Sequence, residues 1–180
     1  MFKTGNQAFA FLYILLFVLI VGGCDPFSKD NSESHQSPAC TDLSNEHIQS
    51  ISLKSTKDDV TNVLGEPDFV EEIENPKSTY FIYGKDESDY DVDFLLEEGK
   101  VQRIYLSSNK YKTAKGVAVG SHKSEVIDAY GDNYYERTEK GAPIIGYFDK
   151  VNHINMEFGF SEDRVTGIIV AATRFCSGNF

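Results

Sequence analysis

The stretch Asp86–Asp93, "DESDYDVD", is the densest charge cluster in the chain. Clustered carboxylates are the groups that hold a hard cation such as calcium. Asp89, Asp91 and Asp93 recur at period two, which would line them along one strand face. However, their spacing matches no calcium-binding loop, and a strand spreads alternate side chains by roughly 7 Å. A solvated hairpin rim, which also discourages pairing at a sheet edge, is the better expectation. No metal site is assigned. The candidates for proton transfer are His122, in the first turn of an expected helix, and His153, at a turn or strand start. Neither has a nucleophile or an orienting carboxylate at a readable spacing, and both are expected to be exposed. There is no Gly-x-Ser-x-Gly, His-Glu-x-x-His or Cys-x-x-Cys pattern. The glycines fall at helix stops and within strands, not in a phosphate cradle. No catalytic residue is assigned, and the expectation is a protein that is not an enzyme and has no small-molecule substrate.

Three cysteines remain: Cys24, Cys40 and Cys176. Cys24 follows an apolar run, Ala8–Val21, with one cation, Lys3, ahead of it. That run is shorter than the roughly 20 residues a membrane-spanning helix needs, and it suits the core of a signal peptide. It ends at Val21-Gly22-Gly23-Cys24. Small residues before a cysteine at this place resemble the bacterial lipobox. The alternative is an uncleaved anchor with an incidental cysteine. The lipobox resemblance implies a signal peptide over residues 1–23 and an N-acyl diacylglycerol modification (palmitate-type acyl chains) at Cys24. No other cofactor is expected. It also implies a lipid anchor in the cell membrane, on the extracytoplasmic face. Two or three acyl chains hold stably where one would not. Asp25 resembles the inner-membrane retention signal of enteric bacteria.

With Cys24 lipidated, Cys40 and Cys176 are left in an oxidising compartment. An even remainder there suggests a disulfide; two free thiols are the alternative. Residues 24–49 are rich in Ser, Asn and Asp and read as a flexible tether, with His35 and His47 solvated. The formal net charge is −11 and the pI about 4.7. Such a surface repels phosphates, so no nucleic-acid partner is expected.

Elements to carry these residues can be read from an internal repetition. "ISLKSTKDDVTNVLGEPD" (Ile51–Asp68) matches "VAVGSHKSEVIDAYGDNY" (Val117–Tyr134) at a constant offset. Ser55 pairs with Ser121, Lys57 with Lys123, Val60 with Val126, and Gly65 with Gly131. The same offset places Val92 and Phe94 on Phe158 and Phe160, with a shorter hairpin following in the second copy. Ser55 and Ser121 are expected to cap short helices, and Gly65 and Gly131 to stop them. "YDVDFLL" and "INMEFGF" alternate strictly, as half-buried strands do. The expected fold class is α+β, a tandem duplication of one helix plus a three- or four-stranded antiparallel meander. The units would span 50–108 and 116–176, with a linker at 109–115 and a tail at 177–180.

The motif built from Leu53, Ser55/Thr56, Asp59, Val60, Leu64, Gly65 and Pro67, closed by Val92, Phe94, Val101 and Ile104, resembles the BamE (SmpA/OmlA-like) superfamily. A tandem pair is similar in architecture to the two-repeat β-lactamase inhibitor protein, and some lipoproteins and CAP-associated exported domains carry similar units. The resemblance implies the fold over about Ile51–Ala172; no partner-binding residue carries over from it. Phe81, Tyr83, Tyr105 and Tyr147 fall on strands with large side chains on both faces. Rings left exposed beside aspartates would form a protein-binding face; burial of both faces is the alternative. The functional expectation is a lipid-anchored, non-enzymatic interaction module of the cell envelope that binds another envelope or extracellular protein through its sheet. The alternative is an inhibitor or regulator of an extracellular hydrolase, using "DESDY" as its tip.

Overall fold

A computed structural model describes residues 40–173. Cys24, the signal peptide, Asp25, His35 and Cys176 lie outside the described residues. In chain order the elements are α1 (Lys57–Leu64), β1 (Phe69–Glu74), β2 (Lys77–Gly84), β3 (Tyr90–Glu97) and β4 (Lys100–Leu106). Then come α2 (Lys123–Tyr130), β5 (Tyr135–Glu139), β6 (Ala142–Asp149), β7 (Ile154–Ser161) and β8 (Arg164–Ala172).

All eight strands join one antiparallel sheet in the order β1-β2-β3-β4-β8-β7-β6-β5. This overturns the expected α+β duplication of separate helix-plus-meander units. The described residues are predominantly β, with two eight-residue helices among them on a continuous sheet. The reason is backbone satisfaction. The last strand of each expected unit would otherwise present a row of unpaired amides and carbonyls. Instead, β4 pairs with β8 through Arg103↔Ala171, Ile104↔Val170, Tyr105↔Ile169 and Leu106↔Ile168. A single core then runs through both halves, from Phe81 and Phe94 to Tyr147 and Phe158.

The core lies on one sheet face. It gathers alternate strand residues with Val60 of α1 and Val126 and Tyr130 of α2. The expected tether boundary also moves: Leu43 and Ile48, inside the expected tether, are all but fully buried in this core beside Ile51. Asp149 fastens that segment by accepting from the Leu43 amide at 2.9 Å. Tyr111 and Thr113, inside the expected linker, are buried as well.

Each helix starts one residue later than expected. Thr56 Oγ1 accepts from the Asp59 amide at 3.2 Å, and Asp59 Oδ2 accepts from the Thr56 amide at 2.7 Å, a reciprocal cap. At α2, His122 Nδ1 accepts from the Ser124 amide and Glu125 Oε2 from the His122 amide. Ser55 and Ser121 instead close the preceding turns, accepting from the Ser52 and Ala118 amides. The register is also corrected. Leu96 pairs with Val101 as Phe160 pairs with Val165, so Phe94 corresponds to Phe158. The two-residue difference arises in the hairpins before those strands.

Candidate functional site

Strand alternation divides the expected aromatic surface between two faces. Phe81, Tyr83 and Tyr147 are 2%, 4% and 0% exposed, so they are core residues and not a surface. Each tyrosine hydroxyl is satisfied internally: Tyr83 donates to the Gly65 carbonyl at 3.0 Å and Tyr147 to the Gly131 carbonyl at 2.9 Å. The two rings thus tie each helix stop to the sheet. Burial pushes the Tyr83 hydroxyl up to about 12, with Glu66, Tyr111 and Asp68 adding to it.

Tyr105 alone of the four points to the other face, where it is half-buried. The pairing registers place one row of residues straight across that face: Ile82, Asp93, Tyr105, Ile169, Glu157, Gly146 and Tyr135. Two polar knots punctuate it. At the first, Arg103 Nη2 donates to Asp93 Oδ1 at 3.0 Å and the guanidinium lies 5.3 Å from the Tyr80 ring centroid. Tyr90 packs edge-on to Tyr105, with centroids 6.2 Å apart. Burial pushes the Asp93 carboxyl up against the opposing pull of Arg103, and pushes the Tyr90 hydroxyl up to about 12. At the second knot, Glu157 accepts from Arg137 Nε and Nη2 at 2.8 and 2.7 Å. The Tyr135 hydroxyl donates to Glu157 Oε1 at 2.6 Å. Burial works against the Glu157 carboxylate, but these donors hold it below the usual range.

Glycines make room for the rings. A Cβ on Gly146 would come within 2.2 Å of Tyr135 Cζ, and one on Gly167 within 2.8 Å of the Tyr105 hydroxyl. Both tyrosine rings therefore overlie bare backbone on the face opposite the helices.

The acidic cluster is dispersed. Asp91 pairs with Lys110 at 2.8 Å, Asp89 with Lys85 at 3.8 Å, and Asp93 with Arg103. Asp93 is 4% exposed, which corrects the expectation of a uniformly solvated rim. No group of three His, Cys, Asp or Glu side chains that could hold a metal occurs among the described residues. His122 caps α2. His153, at positive φ in the β6–β7 turn, lines a cleft of about 130 Å³ with Glu46 and Ser44. The hydroxyl of Ser44 is engaged by Asp42 at 2.6 Å, and Glu46 by the Tyr130 hydroxyl at 3.0 Å. Cys40 is exposed, its Sγ accepting from the Lys150 amide at 3.3 Å. The ion-paired outer row escaped sequence reasoning. Its one legible signal was Asp93 and Arg103 on adjoining strands.

No family model and no curated protein matches this chain. Several solved structures share a distant likeness. An extracellular protein containing an SCP domain from Bacillus anthracis has a TM-score of 0.48 at 13% identity, over 79% of this chain and 49% of its own. A cysteine-rich secretory protein from Staphylococcus aureus has 0.46 at 11%, over 67% and 44%. A DUF4309 family protein from Bacillus subtilis has 0.41 at 15%, over 69% and 84%. This chain thus spans less than half the length of the first two.

Proposed function

We propose that the chain is an exported, lipid-anchored, non-enzymatic interaction module of the cell envelope, and that it binds a protein through the sheet face opposite its helices. The observation that carries the reading is the construction of that face. Tyr105 and Tyr135 are seated on glycines, and Tyr80 and Tyr90 border the Asp93–Arg103 pair. Tyrosines and arginine packed in place are what protein interfaces favour, because little side-chain freedom is lost on contact. The lipobox-like Val21–Cys24 supports the anchor, and the BamE-like motif supports an envelope setting. The hydrolase-inhibitor alternative would need a free acidic tip. In the Lys85–Asp89 turn, Asp86 already accepts from Ser88 and from the Asp89 amide.

Photo-crosslinking amino acids at Tyr80 and Tyr105 test the face, with Val63 and Val151 as exposed controls elsewhere. One envelope protein captured from the first two positions and absent from the controls is the expected result. Adducts that do not depend on position would refute it. For the anchor, Cys24→Ala is expected to move the protein from membranes to the soluble exported fraction. Within the same reading Cys40 is bonded to Cys176, and free-thiol titration of the denatured, unreduced protein should then find none on either residue.

A further inference from the structure

Lys57 opens α1 as Lys123 opens α2, yet the two lysines have different surroundings. Lys123 Nζ meets Glu136 Oε1 of β5 at 3.1 Å and lies 5.9 Å from the ring centroids of both Tyr134 and Phe160. A carboxylate and two rings enclose the cation. The same places in the first half hold other residues. Val70 pairs with Phe81 as Glu136 pairs with Ile145, so Val70 stands where the carboxylate would be. Leu96 stands where Phe160 is. Asp68 precedes β1 as Tyr134 precedes β5, and its carboxylate is turned to the Gly84 amide at 2.8 Å.

What opens is a cleft of about 430 Å³ beside α1. Phe81 and Leu96, both buried, form its floor, and Val70, 53% exposed, part of its wall. Lys57 Nζ sits 5.3 Å over the Phe81 ring, and no carboxylate among the described residues pairs with it. That volume suits a pocket for a small ligand or a few side chains. Glu66, Glu72 and Glu98 on the rim outnumber Lys57 and Lys77, which excludes a bare inorganic anion. The occupant must gain chiefly by burying apolar surface on the floor, where Lys57 offers one cation to a single carboxylate.

We propose that this cleft is a peptide-binding site taking an extended segment of a protein partner with an aromatic residue and a glutamate two positions apart. From the cleft, the ring would lie on the Phe81–Leu96 floor and the carboxylate would meet Lys57, making the contacts that Tyr134 and Glu136 make with Lys123 beside α2. Residues two apart on an extended chain point to one side, as this arrangement requires. The site lies on the helix-bearing side of the sheet, away from the tyrosine face, so its failure would leave the reading of that face untouched.

The probe is a fluorescein-labelled peptide of sequence Asn-Tyr-Tyr-Glu-Arg-Thr-Glu, the order of residues 133–139. It is titrated with the full-chain lipoprotein in detergent and followed by anisotropy. We expect saturable binding in the sub-millimolar range. It should weaken at least about tenfold when the first tyrosine is alanine or the first glutamate is glutamine. The variant Val70→Glu, at an exposed position, supplies Lys57 with its own carboxylate. It should weaken binding by a similar factor while melting no lower than wild type. Absence of binding at about 1 mM protein would overturn the proposal, as would equal binding of the altered peptides or undiminished binding by a folded Val70→Glu variant.

Discussion

The Tyr130 hydroxyl at the end of α2 donates to Glu46 Oε1 at 3.0 Å, joining the second helix to the segment that enters the fold. Glu46 is 6% exposed and its other oxygen, Oε2, has no hydrogen-bond partner. Burial pushes its carboxyl above the ordinary range, against Tyr130, the Ala114 amide, Lys115 and His47, which all pull it down. A carboxyl whose folded value is raised contributes stability that is complete below the unfolded value and is lost as pH rises through the folded one. Glu46→Gln keeps the acceptor for Tyr130 and removes the charge. Thermal melts should show the variant more stable than wild type at pH 7, by about 1 kcal/mol, with the gain fading as pH falls toward about 4. A gain that persists unchanged at acid pH would show that the charge is not its source.

Arg103 and Asp93 provide a second test, on the outer face. Asp93 is buried, whereas the Arg103 side chain is 33% exposed. Replacing Arg103 by methionine preserves much of the packing on Tyr80 and strands the carboxylate. Breaking a fully buried pair costs about 3–5 kcal/mol; with the arginine partly solvated, about 2–3 is expected. Asp93 already sits above its ordinary range, and losing the arginine raises it further. The destabilisation should therefore be larger at pH 7 than at pH 4. Adding Asp93→Asn to Arg103→Met should recover most of it in denaturant titrations.

These contrasts show what the residues disclosed in advance. Strict alternation in Tyr90–Leu96 and Ile154–Phe160 gave the inward faces directly, because one buried side imposes period two. The helices were legible from Val60, Leu64, Val126 and Tyr130. Their starts were displaced by one residue because Ser55 and Ser121 were needed by the preceding turns. The sheet-wide topology was not legible. The β4–β8 pairing joins Leu106 to Ile168, and no local pattern encodes a contact at that range. The fates of Tyr83 and Tyr147 were hidden for a related reason. Burial of a tyrosine depends on a hydroxyl partner, here the carbonyls of the helix-stop glycines, and side-chain types do not reveal those.

Gly146 and Tyr135 should behave as a coupled pair. An alanine Cβ at Gly146 would fall 2.2 Å from Tyr135 Cζ and 2.4 Å from its hydroxyl oxygen. Gly146→Ala alone should displace the ring from Glu157 and Asn155 and cost about 1–3 kcal/mol. In a Tyr135→Ala background the obstruction is gone, and the same substitution should become neutral or mildly stabilising, since glycine is a poor strand residue. A double-mutant cycle measured by chemical denaturation reads the coupling. Additive effects would mean that the ring is not seated on the glycine.

Asp149 closes the end of β6 over the entering chain and supplies the opposite pH behaviour to Glu46. Its carboxylate, 1% exposed, accepts from the amides of Leu43, Val151 and Asn152 at 2.9, 3.0 and 2.9 Å, and from Asn152 Nδ2 at 2.8 Å. Burial alone would raise it, but these donors hold it below the ordinary range. Its stabilisation is therefore present above the unfolded value of about 3.9 and is lost as pH falls through the folded one. Asp149→Ala leaves three amides without their acceptor and should cost about 2–4 kcal/mol at pH 7. The difference from wild type should narrow in strong acid. Hydrogen exchange locates the effect: the Leu43 amide should exchange faster in the variant by a larger factor than the Phe94 or Phe158 amides at mid-sheet. Equal acceleration throughout would mean that Asp149 stabilises the fold as a whole and does not fasten its first segment.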